Sequence, residues 1–131
     1  MEIDEIKKIL PKPDVDYLIS KGYQFDAHRN GDGVHVIIDN YNFPEAYQSR
    51  QASLLIILPA GYPNANPDMF WTCPDVKLIN GAWPKAAEHH ETYNGRSWQR
   101  WSRHSTGQWR PGIDDLQTFL ASVRKEVDKG V

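Results

Sequence analysis

Cysteine is the scarcest chemistry in this chain of 131 residues: Cys73 stands alone, so no internal disulfide can form and no thiolate metal site can be built from it. Long apolar runs are missing too. The longest, Leu54 to Leu58, falls far short of the roughly 20 residues a membrane-spanning helix needs. The acidic opening Met1-Glu2-Ile3-Asp4-Glu5 does not read as a signal peptide, and a cytoplasmic location is the expectation. Nor does one sign of charge dominate: Lys and Arg number 15 against 17 Asp and Glu, so no global field draws the chain to nucleic acid or to a membrane. Internal repeats and low-complexity segments are absent. Aromatic residues are plentiful, with five Trp, six Tyr and four Phe, which a disordered chain does not carry. The length suits one core, and the expectation is one domain over residues 1–131.

Ile3, Ile6 and Leu10 repeat at helical spacing until Pro11 stops them, which predicts a short, frayed first helix. Asp14 is the expected cap of a second short helix carrying Tyr17 and Leu18 and ending at Gly22. From Tyr23 the period becomes two. Tyr23, Phe25 and Ala27, then Val34, Val36 and Ile38, alternate with polar neighbours on either side of Asn30-Gly31-Asp32-Gly33, the signature of an antiparallel hairpin. Ser53–Leu58 reads as a third, central strand and Met69–Thr72 as a short fourth, which gives a four-stranded antiparallel meander. Residues 74–111 show no apolar period and are expected to form a long irregular loop, of the kind that often carries function. Ile113, Leu116, Leu120, Val123 and Val127 make the apolar stripe of a closing amphipathic helix, with Asp114 and Asp115 in its first turn and Lys125 and Lys129 near its end. The fold class is α+β.

The stretch Leu54-Leu55-Ile56-Ile57-Leu58-Pro59-Ala60-Gly61-Tyr62-Pro63-Asn64-Ala65-Asn66-Pro67-Asp68-Met69-Phe70-Trp71 resembles the third strand, the Tyr-Pro-x-x-x-Pro loop and the fourth strand of ubiquitin-conjugating enzymes. Trp109-Arg110-Pro111, ahead of the last helix, is similar to that family's Trp-x-Pro. More narrowly, Asn94-Gly95-Arg96-Ser97-Trp98-Gln99-Arg100-Trp101-Ser102-Arg103-His104 resembles prokaryotic family E of the ubiquitin-conjugating-enzyme (UBC-like) superfamily. The resemblance implies a shortened UBC-like fold without the usual final helices. It implies as partners a ubiquitin-like protein, a ubiquitin-activating-like adenylating enzyme and a JAB-type deconjugating protease, with neither nucleic acid nor membrane as a partner and no cofactor. In ordinary members the nucleophilic cysteine lies shortly before Trp-x-Pro. Counting back from Trp109 puts that slot at Trp101, and counting on from Asn94-Gly95 puts it at Trp98, so neither reading supplies a thiol. Cys73 stands at the exit of the fourth strand, far from the slot, and reads as a small buried hydrophobe.

Without sulfur, a hydroxyl remains as a carrier, provided a base activates it and a donor steadies the oxyanion. Ser97, Ser102, Ser105 and Thr106 supply hydroxyls, His104 a base, and Arg96, Arg100 and Arg103 anion donors; Ser102 or Ser97 is the expected acyl acceptor, and Arg103 is expected to steady the acyl oxygen or the tail. Arg96, Arg100, Trp101 and Arg110 are the residues expected to hold a protein partner, since guanidinium groups grip carboxylates. Each has a blander reading. Loop Ser and His residues commonly satisfy turns, and Trp98, Trp101 and Trp109 serve to pack the loop against the sheet. His89, His90 and His104 lack the spacing of a metal site. His28 and His35 read as exposed cross-strand neighbours. The arginine and tryptophan interleaving also fits a nucleic-acid surface, against which the overall acidity argues. Two functions stand: a noncanonical conjugating component carrying the partner's C-terminus as an oxyester, and a catalytically inactive adaptor that only docks.

Overall fold

The computed structural model describes residues 2–104 and 107–131. A single turn of helix, α1 (Ile3–Ile6), precedes α2 (Lys12–Ser20). Pro11, not Asp14, holds the cap position of α2, and Pro13 lies in its first turn, where a missing N–H costs nothing. Asp14 is instead turned inward at 1% exposure. The helix leaves through Gly22 at φ 72°, with Tyr23 N–H donating to the Leu18 carbonyl at 3.3 Å, the closure that a left-handed exit residue permits.

Strands β1 (Phe25–Asn30) and β2 (Gly33–Asn42) pair antiparallel from Phe25 against Ile38 to Asn30 against Gly33, so Gly31 and Asp32 form the turn the sequence predicts. Strands β3 (Gln51–Leu58) and β4 (Phe70–Cys73) follow in meander order. The sheet does not end there. β5 (His89–Tyr93) and β6 (Arg96–Trp101) form a second hairpin, and β6 docks on β4, giving six antiparallel strands in the order β1-β2-β3-β4-β6-β5. The expected loop over 74–111 is therefore interrupted by this hairpin.

On the inner face of the sheet Val36, Ile38, Leu54, Ile56, Leu58, Phe70 and Trp101 meet α3 (Leu116–Asp128), whose Leu116, Phe119, Leu120, Val123 and Val127 are buried. Asp115 is the N-cap of α3 rather than part of its first turn: its carboxylate accepts from Thr118 N–H at 3.2 Å while Thr118 Oγ accepts from Asp115 N–H at 3.3 Å. Ile113 falls before the helix and is 65% exposed, outside the apolar stripe. Asp14 ties the layers together by accepting from Tyr62 Oη at 2.7 Å and from Leu116 N–H at 3.3 Å, and its burial raises its pKa, an effect those two bonds oppose. No helix among the described residues is long and apolar enough to cross a membrane.

On the outer face a smaller cluster of Leu55, Trp71 and Trp98 is buried, with Ile37, Ile57, Met69, Cys73 and Tyr93 packed around it. No helix among the described residues covers it. The β5–β6 hairpin curls across instead: although β5 is at the opposite edge of the sheet from β1, Asn94 at its tip reaches His28 of β1 at 2.7 Å. This closure buries His35 to 4% exposure, so the His28 and His35 pair is cross-strand as expected, but not exposed as expected.

Candidate functional site

β6 pairs Trp101 with Phe70 and then leaves the sheet, which fixes where Ser102, Arg103 and His104 begin. The segment facing them, residues 76–87, has no regular structure of its own. Gln99 holds it. Fully buried, its Oε1 accepts from Thr72 Oγ at 2.9 Å and Val76 N–H at 2.7 Å, while its Nε2 donates to the carbonyls of Val76 at 2.9 Å and Ala87 at 3.0 Å. Trp101 Nε1 donates to Thr72 Oγ at 2.9 Å, which completes the network. Ser102 N–H then donates to the Ala86 carbonyl at 2.9 Å. The result is a recess of about 350 Å³ lined by Lys85, Ala86, Ser102, Arg103, His104, Glu126 and Lys129.

His104 and Ser102 both line this recess. His104 Nδ1 lies 2.6 Å from Asp68 Oδ1, with both side chains exposed. No sequence motif points to Asp68. It directly follows Pro67 of the proline-bearing loop, and no spacing rule links position 68 to position 104. Trp109 strengthens the same junction by donating from Nε1 to the Pro63 carbonyl at 2.8 Å. Ser102 Oγ accepts from Arg100 Nε at 2.9 Å, and Arg100 Nη1 in turn lies 3.4 Å from Glu91 Oε2. Glu91 Oε1 also accepts from Trp71 Nε1 at 2.8 Å, so a chain of bonds runs from the outer cluster to Ser102.

Three expected roles change. Trp101, expected to bind a partner, is 0% exposed and lies in the inner core against Phe70 and Tyr47, with ring centroids 5.1 and 5.9 Å away. Arg103, expected to steady an oxyanion, is 8% exposed and already engaged: Nε donates to the Lys85 carbonyl at 3.0 Å, Nη1 to the Glu126 carbonyl at 3.0 Å, and Nη2 to the Val131 backbone oxygen. It pins the C-terminal end of α3, where free carbonyls and the helix dipole favour a cation. Ser97 is exposed on β6 opposite Thr92, five residues and about 16 Å of strand from Ser102, so the two serines do not share a site.

The other arginines expected to meet a partner are also occupied. Arg96 lies over the Trp98 ring at 4.4 Å. Arg110 Nη2 donates to Asp114 Oδ1 at 3.0 Å, and this bond, with one from the Arg110 backbone, holds the Asp114 pKa below the ordinary carboxylate range. Ser105 and Thr106 lie outside the described residues. Cys73 is half-buried opposite Ser53 and belongs to the outer cluster, not to the lining of the recess. His90 is bound to Asp75 at 2.7 Å and not to His89 or His104, and no group of three metal-ligating side chains occurs among the described residues.

Compared with known proteins, the chain matches the family model of prokaryotic E2 family E over residues 10–130. No curated protein and no solved structure gives a significant match.

Proposed function

Since the chain belongs to prokaryotic E2 family E, and so to the E2-like components of bacterial conjugation-type systems, we propose that it carries the C-terminal acyl group of a ubiquitin-like protein on the hydroxyl of Ser102. The observation that supports this most is the His104–Asp68 pair at 2.6 Å, with His104 and Ser102 lining one recess and no thiol there. Asp68 accepts from Nδ1–H, which fixes the tautomer and leaves Nε2 of His104 as the basic nitrogen. Arg100 occupies a lone pair of Ser102 Oγ and so turns the hydroxyl proton away from itself. The activated C-terminus arrives as a thioester on an activating-like adenylating enzyme. Ser102 Oγ attacks the carbonyl carbon, the O–C bond forms and the C–S bond breaks. The hydroxyl proton passes to His104 Nε2 and on to the departing thiolate. A JAB-type protease is the counterpart that removes the modifier.

The test is incubation with the ubiquitin-like partner, its activating enzyme and ATP. A thiol-resistant, base-labile adduct is expected on a denaturing gel, absent in Ser102→Ala and retained in Ser97→Ala. One observation favours the adaptor reading: Ser102 is bonded to Arg100 and not to His104. That reading predicts a stable complex with the same two partners and no adduct in any variant.

A further inference from the structure

The tip of the β5–β6 hairpin lies over the far edge of the sheet. Asn94 and Gly95 both take positive φ, 53° and 75°, the two-residue turn that Asn-Gly makes readily. Asn94 Nδ2 sits 2.7 Å from His28 Nε2, and Tyr93 sets its ring edge-on to His35 at 5.3 Å. The rings of His28 and His35, directly opposite each other on β1 and β2, are themselves 5.3 Å apart. Nδ1 of His35 is buried with no hydrogen-bond partner.

A neutral imidazole tolerates that position, because an unused lone pair in apolar surroundings costs little beside a buried charge. A proton on Nδ1 creates a buried N–H without an acceptor, next to a second imidazole. Burial, and after it His28, push the His35 pKa down. The titratable and charged groups facing His35 are His28 and Asp26 from β1, Tyr93 from β5 with Glu91 hydrogen-bonded to its hydroxyl at 3.4 Å, and Arg96 from β6 opposite Tyr93. β3 presents only Ile57 and Leu55. None of these relieves Nδ1. His28 differs, since rotating the Asn94 amide offers a protonated Nε2 an oxygen.

We propose that the β5–β6 hairpin is a proton-sensitive latch, holding its own Trp98 against Leu55 and Trp71 while His35 is neutral and released when His35 takes a proton. The latch does not rest on the hydroxyl chemistry proposed above. It does govern the same site, because Glu91 and Arg100 ride on the hairpin and Arg100 holds Ser102 Oγ. The sign follows from linkage: the closed state binds fewer protons, so closure is at full strength above the open-state imidazole pKa of about 6.5 and weakens as pH falls below it. Between about pH 7.5 and pH 5.5 the opening equilibrium rises by at most about tenfold.

Hydrogen exchange of the full chain, corrected for intrinsic rates, tests this at those two pH values. Amides of β5 and β6 are expected to lose up to about tenfold protection at the lower pH while those of α3 do not. His35→Phe, which fills the ring's space without a titrating group, abolishes the response. His35→Gln does the same should the phenylalanine variant fold poorly. A wild-type hairpin with pH-independent protection overturns the latch, as does an undiminished response in either His35 variant, or a response lost in His28→Phe but kept in the His35 variants.

Discussion

Replacing Gln99 by leucine removes one side chain of similar size and four hydrogen bonds at once. The amide uses its whole capacity, two acceptances at Oε1 and two donations from Nε2, in a site that is 0% exposed. Leucine leaves Val76 N–H, Val76 C=O, Ala87 C=O and the Thr72 hydroxyl proton without partners, and all three residues are themselves fully buried. Each orphaned group costs about 1–3 kcal/mol if nothing relaxes. Because residues 76–87 are irregular and can shift toward water, the lower half of that range applies to their three backbone groups, and the expected loss is about 3–6 kcal/mol before the Thr72 hydroxyl is counted. That is a large part of the 5–15 kcal/mol typical of a whole domain. Urea unfolding at constant m measures it, and hydrogen exchange at Val76 shows whether the segment has let go. The same segment carries Lys85 and Ala86 to the recess and supplies the carbonyl that holds Ser102 N–H, so adduct formation should fall even at temperatures where the variant remains folded. A loss under about 1 kcal/mol with unchanged protection at Val76 refutes the reasoning.

Asp68→Asn keeps the shape of the His104 partner but not its charge. It is expected to slow adduct formation roughly tenfold or more without moving the urea midpoint, because a misoriented base loses part of the 10²–10⁴ that such a group supplies; an unchanged rate refutes the pairing's role. Arg110→Ala removes the main cause of the low Asp114 pKa, so carboxyl NMR should show Asp114 titrating at higher pH than in the wild type. The corresponding stability is present above the unfolded carboxylate pKa and lost as pH falls through the folded one, and this acid sensitivity should shrink in the variant.

What was readable in the sequence were the elements with one dry face. The β1–β2 hairpin puts Ala27, Val36 and Ile38 on its inner face at alternate positions, although His35 is buried on the other face, and α3 shows a single stripe along Leu116, Leu120, Val123 and Val127. β5 and β6 were not readable because β6 is buried on both sides: Trp98 enters the outer cluster while Gln99 and Trp101 enter the inner side, so no alternation of polar and apolar survives. Asn94-Gly95 was the one available signal, an Asn-Gly pair between residues of good strand propensity. The resemblance to the E2 family was legible through the proline loop and Trp109, residues whose job is local geometry. The Asp68–His104 contact was not, since only the folded sheet brings the ends of β4 and β6 together.

The arginines of residues 96–110 show how composition misleads about a surface. A run holding Arg96, Arg100, Arg103 and Arg110 among tryptophans reads as an open cationic face, yet each guanidinium is engaged inside the chain: on the Trp98 ring, on Glu91 and Ser102, on three backbone oxygens, and on Asp114. A partner that took Arg103 would first have to break three bonds to backbone oxygens in a buried setting. Arginine here serves as a many-armed donor that holds an irregular segment in place, a task its fixed fork of N–H groups suits better than lysine. Lys85, by contrast, borders the recess beside His104 with an exposed side chain.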